Sequence, residues 1–393
     1  MNVLVTGANG QLGCWMRLAV SFSPAAASTS DGNYFSCGCS KNQFPSSSNA
    51  PAHAAGKAAA KLAALPSFNY LFSDISELSA ESREMLRKLG GKGVNLSTAR
   101  LDVTDLAAVR EMVRNERVDA IVNCAGFTNV DAAESQPEVA ELLNAKAVEN
   151  LAVAMKEVGG LLVHVSTDYV FGGQPCDLHI PDVFPAAPLG AYARSKLHGE
   201  EAILRVGCRH VILRTAWLFS EFGRNFVRTM LRLTAERPQV KVVDDQRGTP
   251  TYAADLAGVI LAVLSAYAGS AASLTSDAGS ASSVSGLIGE SPNIYHFTNE
   301  GACTWYAFAR EILRQAQDDR RQVQDGGRQV QDGRQQIQDG RVCEILPCRS
   351  EEFPSPVRRP AYSVLDKSKI KAALGLEIPE WQDALRRCLA SLL

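Results

Sequence analysis

Residues 2–13 read NVLVTGANGQLG, a short apolar run followed by three glycines in a Gly-x-x-Gly-x-x-Gly spacing. The run NVLVT is typical of a buried strand, and the residues after it have the apolar spacing of a helix. Glycines at a strand-to-helix junction allow a tight turn and let the backbone approach a pyrophosphate, whose oxygens bind the free N–H groups of the helix end. This stretch predicts a dinucleotide-binding turn formed by Gly7, Gly10, Gln11, Leu12 and Gly13.

Strand-like and helix-like runs alternate along most of the chain. The runs NYLFSD, VDAIVNCAG, LLVHVSTDYVF and HVILRTAWLF are apolar, and amphipathic segments such as LAAVREMVRNER lie between them. Apolar strands separated by helices indicate a parallel sheet that is covered on both faces. The sequence therefore predicts an α/β fold with a doubly wound, Rossmann-type parallel sheet. The later runs NIYHFTNEG and TWYAFAREILRQ predict a smaller mixed α/β lobe at the carboxyl end.

The composition also suggests where the chain divides. We expect residues 1–220 to form the dinucleotide-binding domain and residues 221–393 to form mainly a substrate-binding lobe. Three segments rich in small or polar residues interrupt the alternation, at about residues 21–66, 266–291 and 315–341. Because they offer little apolar area to bury, we expect all three to be flexible.

The charge balance excludes some classes of partner. The 393 residues include 40 Lys and Arg against 42 Asp and Glu, which gives a formal net charge of -2. Such a chain has no surplus of positive charge to neutralise a phosphate backbone, so no nucleic-acid partner is expected. No apolar run approaches the roughly 20 residues that span a bilayer, and the amino end has no basic leader. We therefore expect a cytoplasmic protein with no membrane partner.

Further cofactor contacts are predicted from positions at the ends of strands. An acidic residue at the end of the second strand commonly binds the ribose 2′-hydroxyl, and Asp74 is the candidate, although a solvated loop aspartate would look the same. Asp102 and Val103 follow the third strand, where a loop would contact the adenine. Small side chains follow the fourth strand, where the cofactor runs close to the backbone: Cys124, Ala125 and Gly126.

The motif AYARSK contains Tyr192 and Lys196, which are four residues apart on a predicted helix. Residues at this spacing lie on one helix face, so the ammonium of Lys196 can approach the phenol and lower its pKa. Thr167 ends a parallel strand and would face the ligand crevice. A carbonyl bound there could accept a hydrogen bond from Thr167, a proton from Tyr192 and a hydride from a nicotinamide. The alternative is an exposed Tyr and Lys that are merely neighbours.

Seven blocks of sequence together resemble the extended short-chain dehydrogenase/reductase family and, within it, the dTDP-4-dehydrorhamnose reductases. They are residues 123–134, 166–173, 187–200, 213–219, 225–237, 244–257 and 358–366. The resemblance implies reduction of the 4-keto group of dTDP-4-dehydro-β-L-rhamnose by NADPH or NADH, which gives dTDP-L-rhamnose. It makes a dTDP-sugar the substrate partner and leaves a homodimer as the assembly to test.

The resemblance also assigns roles to individual residues. Thr167, Tyr192 and Lys196 form the implied catalytic set, and Lys196 also holds the nicotinamide ribose. Thr128 lines the cleft beside the cofactor. The implied substrate contacts are Thr167, Asp168, Tyr192 and Trp217, although Trp217 at a strand end could equally be core. The loop at 245–251 shapes the substrate side, unless its Gly and Pro are simple turn residues.

Two departures from the family pattern affect the predictions. Ala193 follows the tyrosine where glycine is common, which is a small change. Some members bind a divalent metal at a dimer interface through a glutamate after the glycine turn. Here the run is Gly13-Cys14-Trp15-Met16, without a carboxylate, so neither this metal site nor this metal-linked dimer is predicted.

Two other functions stay open on the sequence. The same family includes a non-catalytic regulatory subunit, the β subunit of methionine adenosyltransferase, which binds a dinucleotide but serves a partner enzyme. It also includes nucleotide-sugar epimerases and dehydratases, which retain NAD through the catalytic cycle. The intact set of Thr167, Tyr192 and Lys196 favours the reductase.

Overall fold

The computed structural model describes residues 1–21, 68–172, 186–273, 292–325, 343–353 and 355–393. Its strands are β1 Asn2–Thr6, β2 Asn69–Asp74, β3 Ala99–Arg100, β4 Ala120–Asn123, β5 Leu161–Thr167, β6 Arg209–Thr215, β7 Leu218–Phe219, β8 Gln239–Val243, β9 Arg247–Gly248, β10 Thr251–Tyr252, β11 Ile294–His296, β12 Cys303–Thr304 and β13 Glu344–Cys348. Within the described residues, seven of them form a parallel sheet in the order β11-β6-β5-β4-β1-β2-β3. This confirms the predicted Rossmann-type fold.

The helices of the described residues cover both faces of this sheet and also contribute to a smaller lobe. They are α1 Gln11–Ser21, α2 Ala80–Gly90, α3 Leu106–Asn115, α4 Val130–Ser135, α5 Pro137–Glu141, a π-helical turn Leu142–Lys146, α6 Ala147–Val158, α7 Gly190–Val206, α8 Phe226–Glu236, α9 Ala253–Ser273, α10 Trp305–Asp325, α11 Ser368–Leu374 and α12 Trp381–Leu392. Within the part of the chain that is described, none of them is long and apolar enough to cross a membrane.

Alternation along the strands divides the core into two layers. Val3 and Val5 of β1 pack with α1 and α9 on one face of the sheet. Leu4, between them, packs with α3 and α6 on the other face. Because successive side chains of a strand point to opposite faces, a strand buried on both faces must be apolar throughout. This explains why the strand signals in the sequence are continuous.

A third apolar cluster forms the smaller lobe. The parallel pair β8 and β13 packs with α8, α10 and α12 around Phe308 and Trp381. Two later elements return to the large sheet: β11 pairs with β6, and α9 packs against α1. The expected division at residue 220 stays a prediction.

Two of the expected flexible segments begin inside helices, which corrects the prediction. Residues 266–273 continue α9, where Ala266 and Tyr267 pack against the core, and alanine is the best helix former. Residues 315–325 continue α10, where Gln315 is buried and its side-chain amide donates to the Gln382 carbonyl. Ser21 likewise ends α1. The rest of the three segments, residues 22–66, 274–291 and 326–341, lies outside the described residues.

Candidate active site

The glycine turn connects β1 to α1 and touches the end of β4. Gly7 has a φ of 64°, and a Cβ there would lie 2.6 Å from the Cα of Ala125. A Cβ at Gly13 would lie 2.5 Å from the Cα of Ala8. The Gly10 N–H donates to the Gly7 carbonyl at 3.1 Å, and Gly10 itself is exposed. Gly7 and Gly13 are therefore required by close backbone approach, while Gly10 is presented to a ligand.

The turn fits the pyrophosphate of a dinucleotide. In the described part of the chain, the backbone N–H groups of Gln11, Leu12 and Gly13 meet no hydrogen-bond acceptor. These groups form the positive end of the α1 dipole, which favours an anion. A phosphate would satisfy donors that the fold leaves open.

Asp74 lies beside this turn, because β2 pairs with β1 in parallel and both strands end at the same edge. Its Oδ2 accepts from the Asn9 N–H at 3.1 Å, and its Oδ1 accepts from the Ser76 N–H and hydroxyl at 3.1 and 2.9 Å. The carboxylate is therefore fixed next to the turn rather than free in a loop. Its contact with a ribose stays a prediction.

The other predicted cofactor residues differ in their position relative to the glycine turn and in their exposure. Cys124, Ala125 and Gly126 follow β4 directly beside the turn, and the Cys124 N–H donates to the Thr6 carbonyl. Thr128 and Asp102 are exposed, and Asp102 accepts from Thr104. Val103 differs, because its side chain is buried in the second core layer. Only its backbone can contact a cofactor.

Replacing Gly13 by alanine should weaken NADPH binding on the order of tenfold, because the added methyl forces the turn open by a strain of about 1–3 kcal/mol. Fluorescence titration with NADPH measures the effect. Gly93→Ala is the matched control, since a Cβ at Gly93 meets nothing within 4 Å. Equal dissociation constants for the two variants would contradict this role of the turn.

Thr167 and Tyr192 meet at the carboxyl edge of the sheet. Thr167 ends β5, Tyr192 lies in the first turn of α7, and the Thr167 side chain is close enough to favour a lower pKa of the phenol. Thr167 Oγ1 also donates to Asp168 Oδ1 at 3.0 Å. The tertiary structure thus brings together the two hydroxyls that the sequence predicts to hold a carbonyl oxygen.

The electrostatics of the tyrosine differ from the prediction. Burial raises the pKa of Tyr192 to about 12, although the Thr167 side chain opposes this shift. Lys196 Nζ donates instead to the Val165 carbonyl at 2.7 Å and lies 3.5 Å from His164 Nε2. The spacing of four residues placed both side chains on one face, but the ammonium is bound by β5. Tyr192 consequently keeps its proton at neutral pH, as a proton donor must.

Asp168 is a buried carboxyl with an open oxygen. Its side chain is 3% exposed, and its Oδ2 has no hydrogen-bond partner within the described residues. Burial raises the pKa of Asp168 to about 6. An unsatisfied buried oxygen is costly, so a ligand hydroxyl at this position would be stabilised. This fits the predicted contact with the substrate.

The position of Trp217 is compatible with both predictions made for it, a substrate contact and a core residue. Its backbone has a φ of 48°, which is uncommon outside glycine, and its ring stacks on Trp305 with centroids 3.6 Å apart. Gly248 of β9 lies against the ring edge, where a Cβ would be 2.7 Å away. The side chain remains half-buried, so one part belongs to the packing of the lobe and another can meet a ligand.

The loop at 245–251 is held by the carboxyl-terminal segment. The Arg247 N–H donates to the Ala361 carbonyl, and the Ser363 N–H donates to the Arg247 carbonyl, both at 2.8 Å. Arg359 in turn pairs with Asp131 of α4 at 2.8 Å. The segment around 358–363 therefore connects the 245–251 loop to α4. No spacing in the sequence indicated these pairs.

A buried polar chain behind the site was also missed. Asn123 and His164 lie on β4 and β5 and connect Thr6 to Lys196. The one signal for it was a His and an Asn inside otherwise apolar strands. No cluster of three or more metal-binding side chains occurs among the described residues.

Comparison with known proteins identifies the family of this chain. Residues 76–393 match the family model described as the RmlD substrate binding domain. A dTDP-4-dehydrorhamnose reductase from Burkholderia thailandensis is 36% identical over 313 residues, which cover 79% of this chain and 95% of that protein. The chain belongs to the dTDP-4-dehydrorhamnose reductase family. The Escherichia coli protein of this family is 35% identical over 291 residues, covering 74% of this chain and 85% of its own.

Solved structures of the dTDP-4-dehydrorhamnose reductase family share the fold. The Clostridium acetobutylicum protein superposes with a TM-score of 0.65 at 29% identity, covering 100% of this chain and 99% of its own. The Bacillus anthracis protein, solved in complex with NADP, has a TM-score of 0.63 at 26% identity and covers 99% and 98%. As a member of this family, the chain is an NAD(P)H-dependent oxidoreductase.

Proposed function

We propose that this protein reduces the 4-keto group of dTDP-4-dehydro-β-L-rhamnose to the alcohol of dTDP-L-rhamnose, with NADPH or NADH as the reductant. The reaction would serve dTDP-rhamnose and cell-surface polysaccharide biosynthesis. The observation that carries the proposal is the placement of Thr167 and Tyr192 together at the carboxyl edge of the sheet that also ends in the glycine turn, in a member of this reductase family.

The glycine turn and Asp74 would hold the dinucleotide, and Lys196 would hold its ribose near the reacting atoms. When bound, the reduced nicotinamide supplies the hydride. Thr167 and Tyr192 bind the carbonyl oxygen of the sugar and polarise it. As the hydride reaches the carbonyl carbon, Tyr192 gives its proton to the oxygen, so that the ketone becomes an alcohol and the tyrosine a phenolate. We expect the ammonium of Lys196, on the same helix face, to stabilise that phenolate once it forms, although the ammonium donates to the Val165 carbonyl in the free protein.

Burial contributes to this chemistry. Tyr192 holds its proton firmly until negative charge develops on the substrate oxygen, because its surroundings disfavour a phenolate. In such surroundings the positive charge of Lys196 acts more strongly than it would in water. Asp168 and Trp217 would orient the sugar nucleotide, through the open Oδ2 and the exposed part of the indole ring.

An absorbance assay tests the proposal. The oxidation of NADPH or NADH is followed with purified protein and with dTDP-4-dehydro-β-L-rhamnose made in place by the preceding pathway enzymes. Turnover that depends on the keto-sugar is expected. A folded protein that binds the cofactor and shows no turnover would refute the proposal and favour a regulatory role.

The rate should depend on pH through Lys196. Burial lowers the pKa of Lys196 to about 8, so the side chain is an ammonium below this pH and a neutral amine above it. Because the amine cannot stabilise the phenolate, kcat/KM should fall about tenfold per pH unit above pH ~8. A pH profile of kcat/KM measures this, and a rate that stays constant well above that pH would contradict it.

The proposal also includes the cellular location and the oligomeric state of the enzyme. We place it in the cytoplasm, where nucleotide sugars are made, and propose that it assembles as a homodimer. Light scattering of the purified protein tests the assembly, and a single-chain mass would refute it.

A further inference from the structure

Four buried polar side chains form a continuous chain through the centre of the sheet. Thr6 Oγ1 donates to Asn123 Oδ1 at 2.7 Å, and Asn123 Nδ2 lies 3.1 Å from His164 Nδ1. His164 Nε2 lies 3.5 Å from Lys196 Nζ. His164 itself is fully buried. The chain therefore connects the strand of the glycine turn to the lysine behind the tyrosine.

The orientation of Asn123 decides the protonation of His164. The backbone N–H of Ala125 donates to Asn123 Oδ1 at 3.1 Å, and a backbone N–H can only donate. The atom it meets is therefore the amide oxygen, so the amide nitrogen faces His164 Nδ1. Because that nitrogen is a donor, Nδ1 must be the acceptor, and a neutral imidazole then carries its proton on Nε2.

The Nε2–H group consequently faces Lys196 Nζ. An ammonium can only donate hydrogen bonds, so it cannot accept from this N–H group. Two donors then face each other, which is unfavourable. A neutral amine has a lone pair that can accept from Nε2–H, while its own hydrogens still reach the Val165 carbonyl at 2.7 Å. We infer that His164 is a positioning residue that favours the free amine of Lys196 and so lowers the pH above which the reductase loses activity. This inference rests on the proposed function.

Burial of Lys196 also favours the free amine, but the other charged and titratable groups near it do not. Glu200, on the same helix, favours the ammonium, and it is paired with Arg214 of β6. Tyr192 is neutral because burial raises its pKa. Burial and the charge of Lys196 hold the pKa of His164 well below its usual range, which agrees with a neutral imidazole. The Nε2–H dipole is therefore the polar group that opposes the ammonium from β5.

The tautomer can be measured directly by ¹⁵N NMR of the whole protein with labelled histidine. The chain has 6 histidines, and the signals that disappear in His164→Asn identify residue 164. We expect a neutral ring with the proton on Nε2 throughout the neutral pH range. A proton on Nδ1, or a ring that titrates near neutral pH, would overturn the inference whether or not the protein is active.

The effect on Lys196 is measured by the pH profile of His164→Asn. The asparagine oxygen replaces Nδ1 as the acceptor for Asn123, but the N–H that faces Lys196 is lost. The alkaline fall in kcat/KM should therefore move up by roughly one pH unit. His210→Asn is the matched control: His210 is another buried histidine, on β6, whose Nδ1 pairs with the Cys208 carbonyl.

The outcomes separate this inference from the proposed function. A shift in His164→Asn but not in His210→Asn supports the role of His164. A folded, active His164→Asn with an unmoved profile would overturn it. If the wild-type protein has no reductase activity, the proposed function fails, and the NMR measurement still decides the tautomer.

Discussion

Tyr192→Phe should lower kcat by about 10²–10⁴-fold while NADPH binding and folding are retained. The change removes only the hydroxyl, which is the proposed proton donor to the ketone. The phenyl ring preserves the edge contact with Tyr169, whose ring centroid lies 5.5 Å away. Initial rates with saturating cofactor and keto-sugar measure the loss, and fluorescence titration measures NADPH binding.

Tyr267→Phe is the matched control for this change. Tyr267 is a half-buried tyrosine of α9 that packs against the core, away from the carboxyl edge of the sheet. The rate of the Tyr267→Phe variant should stay within about twofold of the wild type, because the substitution lies away from the candidate site. If Tyr192→Phe retained a rate similar to that of the control, Tyr192 would not be the proton donor.

Glu200→Leu should lower the free energy of unfolding by about 3–5 kcal/mol. Glu200 accepts from Arg214 Nη2 at 2.6 Å and from Nε at 3.0 Å, and the two side chains are only 2% and 5% exposed. Ser166 also donates to this carboxylate, at 2.5 Å. Without it, a guanidinium and a hydroxyl remain buried without their acceptor. Urea unfolding followed by circular dichroism measures the difference.

Glu157→Leu provides the comparison for a pair on the surface. Glu157 pairs with Arg110 at 2.5 Å, but the two side chains are 32% and 37% exposed. Water solvates the Arg110 guanidinium that remains after the substitution, so the cost should stay below about 1 kcal/mol. Equal losses in the two variants would show that burial does not control the strength of the Glu200–Arg214 pair.

Predictions from the sequence were reliable where one element contained the whole signal. The glycine spacing in residues 7–13 depends only on a turn and the helix after it, and the structure places those glycines as expected. The strand runs were identified because continuous apolar sequence is required of a strand buried on both faces. The predicted flexible segments began too early in the sequence. Composition alone does not show that helices such as α9 and α10 continue through polar or small residues.

Properties that depend on several elements could not be predicted in this way. The spacing of Tyr192 and Lys196 correctly places them on one helix, but the carbonyl that binds the lysine belongs to Val165 on β5. The sign of the tyrosine pKa shift followed from burial rather than from the lysine. Val103 was assigned to a cofactor loop, and its side chain lies in the core.

The amino-acid sequence by itself determined the fold class, the dinucleotide turn and the types of residue at the candidate site, because each depends on local periodicity or spacing. The protonation states of those residues depend on the tertiary structure. Asn123, His164 and Lys196 are 41 and 32 residues apart in sequence, and they meet only because β4, β5 and α7 pack together. Their protonation depends on distance, burial and hydrogen-bond direction, which are properties of the packed molecule.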